Sequence, residues 1–109
     1  YGAAVLGVPL IVVLGHERCG AVAAACEVVE KNASFPGSIG PMVNAIVPAA
    51  QAVKGRAGDF VDNAIRENAR MTAQKIATQS PIVADLVKKG KVKVVAARYD
   101  LDTGEVEYV

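Results

Sequence analysis

The clearest signal in the chain is a run of five consecutive apolar residues, Leu10-Ile11-Val12-Val13-Leu14, three of them β-branched. A short unbroken run of this composition reads as a strand buried on both faces, the usual form in parallel sheets. Residues 1–6 are small and apolar and read as the last turns of a helix, stopped by Gly7 and Pro9. Gly15 ends the strand, residues 16–20 form a turn, and residues 21–31, rich in Ala and Val, read as a helix. Residues 32–40 carry Asn, Ser, Pro and Gly and read as a loop. Pro41 can open a second helix, whose stripe of Met42, Val43, Ile46, Val47, Ala50 and Val53 is interrupted by Pro48, which should kink or shorten it.

Beyond a break at residues 54–58, Asp59 has the look of an N-cap for a long helix over residues 60–79. Its apolar stripe is Val61, Ile65, Ala69, Thr72 and Ile76. Ser80-Pro81 stops that helix and starts a short one through Val87, closed by Lys88-Lys89-Gly90. Residues 91–98 alternate and then turn wholly apolar, a second strand. Residues 100–104 are a turn, and the strict alternation of Glu105-Val106-Glu107-Tyr108-Val109 predicts a hairpin partner at the sheet edge. The result is an α/β fold: a mostly parallel β-sheet flanked by helices with a C-terminal β-hairpin edge, one domain over residues 1–109. So thin a sheet leaves apolar surface unaccounted for, so either further strands lie upstream or a partner chain covers the exposed faces.

Composition narrows the function. Twelve basic and eleven acidic side chains leave a formal charge of +1, no footprint for nucleic acid or an anionic membrane. No apolar run approaches the roughly 20 residues that span a bilayer. The 19 Ala and 18 Val, against three Tyr, two Phe and no Trp, suit close packing of helices on a sheet. Cys19 and Cys26 lie two helical turns apart, about 10 Å along the axis, beyond the roughly 7 Å Cα separation a disulfide allows. They read as free thiols, and with no signal-peptide pattern at the N-terminus the expected compartment is reducing and cytoplasmic.

The one histidine, His16, stands three residues before Cys19, just past the carboxyl end of the first strand. Ligand sites in open α/β sheets gather there. A neutral imidazole and a thiolate are both good zinc ligands, and the free amides of the following helix N-terminus favour the thiolate. His-x-x-Cys alone is a weak pattern, common by chance. A Cys–His hydrolytic pair is the rival use of the same residues, but no orienting Asp or Asn can be placed. Cys26 reads as a buried small hydrophobe. Glu17 and Arg18 read as solvated or paired, and Gly15 and Gly20 as allowing tight backbone approach. Asp100, Asp102 and Gly104 read as turn chemistry rather than a calcium loop. Lys88, Lys89, Lys91 and Lys93 read as a solvated helix end and strand edge.

The segment Gly7-Val8-Pro9-Leu10-Ile11-Val12-Val13-Leu14-Gly15-His16-Glu17-Arg18-Cys19-Gly20-Ala21-Val22 closely resembles the second zinc motif of the β-class carbonic anhydrases, a strand followed by Gly-His-x-x-Cys-Gly-Ala. The stretch from Gly90 through Tyr99-Asp100-Leu101-Asp102-Thr103-Gly104-Glu105-Val106 resembles that family's closing strands. Glu67-Asn68-Ala69 resembles its Glu–Asn helix segment less closely. The resemblance covers nearly all of the chain. It implies a zinc enzyme, a lyase that reversibly hydrates carbon dioxide to bicarbonate and a proton by a zinc-bound hydroxide. His16 and Cys19 would be two of three protein ligands to Zn2+.

The family's third ligand is a Cys in an upstream Cys-x-Asp-x-Arg motif whose Asp and Arg act in catalysis. No Cys precedes Cys19 and the earliest Asp is Asp59, so the catalytic pair is absent from this sequence. The resemblance further implies a homodimer or higher homo-oligomer, with a small-molecule substrate and neither nucleic acid nor membrane as partner. Some members use a closing-strand Tyr in a bicarbonate pocket, but Tyr99 reads better as a packed strand-end aromatic. The alternatives are a truncated chain or an inactive module of the same fold, and a related zinc lyase or hydrolase acting on another small linear substrate.

Overall fold

A computed structural model describes residues 1–109. The elements run β1 (Leu10–His16), α1 (Gly20–Lys31), α2 (Ile39–Asn44), α3 (Val47–Val53), α4 (Phe60–Gln79), α5 (Pro81–Lys88), β2 (Lys93–Tyr99) and β3 (Val106–Tyr108). The sheet order is β1-β2-β3. β1 pairs with β2 in parallel, from Leu10 against Lys93 to His16 against Tyr99, and β3 returns antiparallel along β2 with Tyr108 opposite Ala97. This is the expected α/β fold with its hairpin edge.

Local chemistry accounts for the boundaries. α1 ends at Asn32, which takes the left-handed conformation (φ 54°) and donates its backbone N–H to Val28, a geometry Asn tolerates better than most residues. The stripe over residues 41–53 is two helices. Pro48 has no N–H to offer Asn44, and its ring would clash with that carbonyl, so α2 stops at Asn44 and α3 starts with Pro48 in its first turn. Pro41 sits in the first turn of α2, where a missing N–H costs nothing. Asp59 caps α4 as expected, its Oδ2 accepting from the Asp62 amide at 2.8 Å. Ser80 caps α5 through its hydroxyl, which accepts from the Val83 amide at 3.3 Å.

Two expectations are corrected here. Residues 1–6 are a turn rather than the end of a helix, held by the Val5 and Leu6 amides bonding to the Tyr1 carbonyl. β1 is covered on one face only. Ile11, Val13 and Gly15 point toward α4, while Leu10, Val12 and Leu14 are 45%, 44% and 52% exposed. The reason is that α4 is the helix packed on both parallel strands, and it lies on one side. The five-residue apolar run is thus a strand with a bare second face within these residues.

The core has two parts. Val22 and Cys26 of α1, Ala50 and Val53 of α3, and Ala64 and Ile65 of α4 form one cluster. Ala69, Ala73 and Ala96 form the other, against Val13, Val94 and Val109. The buried face of α4 is made of Ala64, Ile65, Ala69 and Ala73, so Ala64 and Ala73 take the places expected of Thr72 and Ile76. Gly15 serves the same close approach, since a Cβ there would sit 3.3 Å from Ile65 Cγ2. Gly20, expected to do likewise, faces open space.

Replacing Asp59 with Ala removes the only side-chain acceptor at the start of the longest helix. The expected loss is about 1 kcal/mol of unfolding free energy, measured by urea denaturation, with the denaturant slope unchanged.

Candidate functional site

The parallel register brings the carboxyl ends of β1 and β2 together, so the loop after β1 and the turn after β2 are neighbours. His16 is the last residue of β1 and is exposed. Cys19 is the extended residue before α1 (φ −67°, ψ 117°) and is half-buried against the Val22–Ile65 cluster. Only Glu17 and Arg18 separate them, and Arg18 takes the left-handed conformation at φ 51°. That conformation is uncommon for a residue other than glycine, and it turns the chain sharply between strand and helix.

The His16 ring is oriented locally. Its Nδ1 lies 2.9 Å from the Glu17 carbonyl oxygen. A carbonyl can only accept, so Nδ1 is the donor, and in the neutral ring that leaves the lone pair on Nε2. A metal-binding imidazole takes this state when its second nitrogen is tied to a carbonyl. Imidazole and thiol are donor types that suit Zn2+. They supply two donor types, and neither belongs to a group of three or more His, Cys, Asp or Glu donor atoms lying within 4.8 Å of one another. Cys26 is no substitute: it is buried in the α1–α3–α4 cluster, and burial pushes its thiol up to about 11, with Glu30 and Asp59 adding to the shift. It is the packed small hydrophobe the sequence predicted.

Glu17 and Arg18 are paired, as one of the two readings had it. Glu17 Oε1 accepts from the Leu101 amide at 2.6 Å and the Asp102 amide at 3.1 Å. Arg18 donates through Nη1 and Nη2 to Asp102 at 3.0 and 3.2 Å. The Asp100 side chain accepts from the Asp102 and Thr103 amides, both at 2.9 Å, and these bonds, Thr103's foremost, hold its carboxyl below the usual range. Asp100 and Asp102 are therefore turn chemistry. With Glu17 they form a group of carboxylate oxygens within 4.8 Å of one another, but backbone amides and arginines already occupy those oxygens. Tyr99 is half-buried, its hydroxyl 3.7 Å from where a Gly104 Cβ would stand, in keeping with a packed strand-end aromatic.

A charge network outside the sequence reading runs from this loop to α4. Arg98 lies 3.7 Å from Glu17 Oε2 and donates through Nε to Asp62 at 2.6 Å. Arg66 donates to the other Asp62 oxygen at 2.9 Å and grips Glu107 with two bonds of 3.0 Å. Of this network only the Asp62–Arg66 pair, four apart on one helix, leaves a signal in the sequence. Burial pushes the Asp62 carboxyl up, but the hydrogen bonds from Arg66 and Arg98 outweigh it and hold the group below its ordinary range. A polar recess of about 530 Å3, lined by Glu17, Arg18, Asp59, Asp62 and Arg98 among others, opens beside the loop. A larger, mostly apolar cavity of about 670 Å3 lies at the opposite, amino ends of the strands, near Leu10 and Lys93.

The fold and loop define a class: an α/β domain with candidate metal donors at the carboxyl end of a parallel strand. Comparison with known proteins narrows it. The family model described as "Carbonic anhydrase" matches residues 1–106. Among curated proteins, "Carbonic anhydrase 2" of Mycobacterium tuberculosis is 30% identical over 104 residues, 95% of this chain and 50% of the relative. "Carbonic anhydrase" of Mycolicibacterium smegmatis is 30% identical over 107 residues, 98% of this chain and 52% of the relative.

Among solved structures, a Coccomyxa β-carbonic anhydrase superposes with TM-score 0.79 at 23% identity, over all of this chain and 50% of that one. A β-carbonic anhydrase from Sordaria macrospora, described as tetrameric, gives 0.78 at 18% identity, over all of this chain and 56% of that one. The chain belongs to the carbonic anhydrase family, and its fold is that of the β-carbonic anhydrases it superposes on. It spans about half the length of the curated relatives it matches. No helix is long and apolar enough to cross a membrane.

Two outcomes follow from the site's titratable groups. With Cys26 shielded and its thiol pushed up, a maleimide at pH 8 should label it only once denaturant unfolds the protein, as peptide mapping by mass spectrometry would show. Because the Asp62 carboxyl sits lower in the folded state than unfolded, its contribution to stability is complete above the unfolded value of about 3.9 and is lost as pH falls through the folded one. Chemical denaturation between pH 6 and pH 2 should therefore show a shallower acid loss in Asp62→Asn than in the unsubstituted protein.

Proposed function

We propose that this chain is part of an enzyme that reversibly hydrates carbon dioxide to bicarbonate and a proton with a zinc ion, His16 and Cys19 being two of its protein ligands. The observation that carries the reading is the His16–Glu17 contact: Nδ1 donates to the Glu17 carbonyl, so Nε2 is free to coordinate, three residues from a cysteine at a helix N-terminus. Family membership supports the choice of metal and substrate.

His16 would contribute a neutral donor and Cys19, the residue before α1, a thiolate, the form in which cysteine binds a metal. When bound, zinc supplies the Lewis acidity that makes water an effective nucleophile near neutral pH. A catalytic zinc keeps three protein ligands and an open position. The third ligand and any catalytic Asp–Arg pair would then come from polypeptide outside these 109 residues. Carbon dioxide is small and uncharged, so it needs a shaped pocket more than a charged clamp, and that pocket too would be completed elsewhere. A homo-oligomer is the assembly we favour, in line with the tetrameric Sordaria macrospora neighbour. Two free thiols suit a reducing, cytoplasmic setting.

The test is zinc content by elemental analysis together with stopped-flow carbon dioxide hydration on the full-length protein. About one zinc per chain is expected. Cys19→Ser and His16→Gln should each lose the metal and at least about 100-fold in rate, since even outer partners of a ligand cost 10–100-fold. A full-length protein that is zinc-free and inert toward carbon dioxide would overturn the reading.

A further inference from the structure

We propose that Glu17 is a positioning residue that fixes the tautomer and orientation of His16 by anchoring the ligand loop to the β2–β3 turn. This rests on the zinc reading above for its purpose, though not for its geometry. Glu17 is tied at every polar group it has. Its backbone N–H donates to the Tyr99 carbonyl at 3.0 Å, extending the β1–β2 ladder one step past the strand. Its carboxylate accepts the Leu101 and Asp102 amides at 2.6 and 3.1 Å. Its second carboxylate oxygen faces Arg98 at 3.7 Å and Arg18 at 3.5 Å. What remains is its carbonyl, and that is the group that receives the His16 Nδ1 proton.

The carbonyl's direction is therefore set by contacts more than 80 residues away in sequence. A freely moving loop would let the ring rotate or exchange tautomers, offering the ion the wrong nitrogen for part of the time. Burial separates this anchor from its neighbour. The Glu17 side chain is 12% exposed and Arg98 14%, whereas Arg18 and Asp102 are 61% and 68% exposed. Hydrogen bonds to a shielded carboxylate hold geometry, while an ion pair between side chains more than half exposed is weakened by water and salt. The Arg18–Asp102 pair is thus an outer strap, and Glu17 is the anchor.

The experiment uses the full-length protein and two readouts: the zinc dissociation constant by chelator competition, and the 15N shifts of the His16 ring in metal-free protein, assigned by their loss in His16→Gln. In Glu17→Ala, zinc binding should weaken by about 10–100-fold, and the Nδ1-protonated tautomer should give way to a mixture. Glu17→Gln keeps an oxygen acceptor for the Leu101 and Asp102 amides and should restore most of both. Asp102→Asn should change zinc affinity less than about threefold.

Should Glu17→Ala fail to fold, Glu17→Met, which keeps the packed stem without the acceptors, carries the same test. Unchanged affinity and an unchanged tautomer in the acceptor-less variant would overturn the proposal, as would an Asp102→Asn loss equal to that of Glu17→Ala. Absence of zinc from the unsubstituted protein would sink the zinc reading alone, because the tautomer readout still decides the role of Glu17.

Discussion

The parallel register of β1 and β2 is the constraint from which the site follows. Pairing Leu10 with Lys93 and continuing to His16 with Tyr99 ends the two strands level with each other. The loop that leaves β1 and the turn that leaves β2 are then adjacent although more than 80 residues separate them. A slip of one residue would send Ile11 and Val13 away from α4 and expose them, because side chains alternate with period two. The apolar contact of Val13 and Val94 with Ala69, Ala73 and Ala96 therefore also sets where His16 lies.

That register is reinforced by charge. Arg98, the penultimate residue of β2, meets Asp62 on α4 and approaches Glu17 on the loop, and Arg66 reaches from α4 to Glu107 on β3. The chain of alternating charges fastens helix, both parallel strands and hairpin at one end of the sheet. Arg98, Asp62 and Arg66 are partly shielded, so the hydrogen bonds among them count for more than those of surface pairs such as Lys89–Asp85, where both side chains are more than half exposed, while Glu107 at the outer end of the chain is itself exposed. The end of the sheet that carries the candidate donors is thus stiffened by polar contacts. The amino end, beside the larger apolar cavity, has no comparable network.

The bare face of β1 and the exposed β3 belong to the same picture. A parallel sheet is normally covered on both faces, and here α4 covers one. Leu10, Val12 and Leu14 are left to water within a chain that matches half the length of its relatives. Within these residues one face of β1 is bare, and the proposed site would draw two of its donors from this chain.

Much was legible in the residues. Local rules act over a few positions: Pro48 ends a helix because it lacks a donor, Asp59 caps because its oxygen reaches the third amide, and the β-branched run extends because its side chains crowd a helix. The Gly-His-x-x-Cys-Gly loop was legible for the same reason, being one contiguous segment between two recognisable elements. Which face of β1 is covered, which alanines of α4 are buried, and what Glu17 and Arg98 bind were not. Those depend on partners 36 to 85 positions away, and no local preference encodes them. Sequence alone determined the kind of most elements and their order, residues 1–6 excepted, and placed His16 and Cys19 on either side of the turn after β1. The tertiary structure decided the coupling of that loop to a distant turn, because only the packing of α4 on the sheet brings those groups within hydrogen-bonding distance.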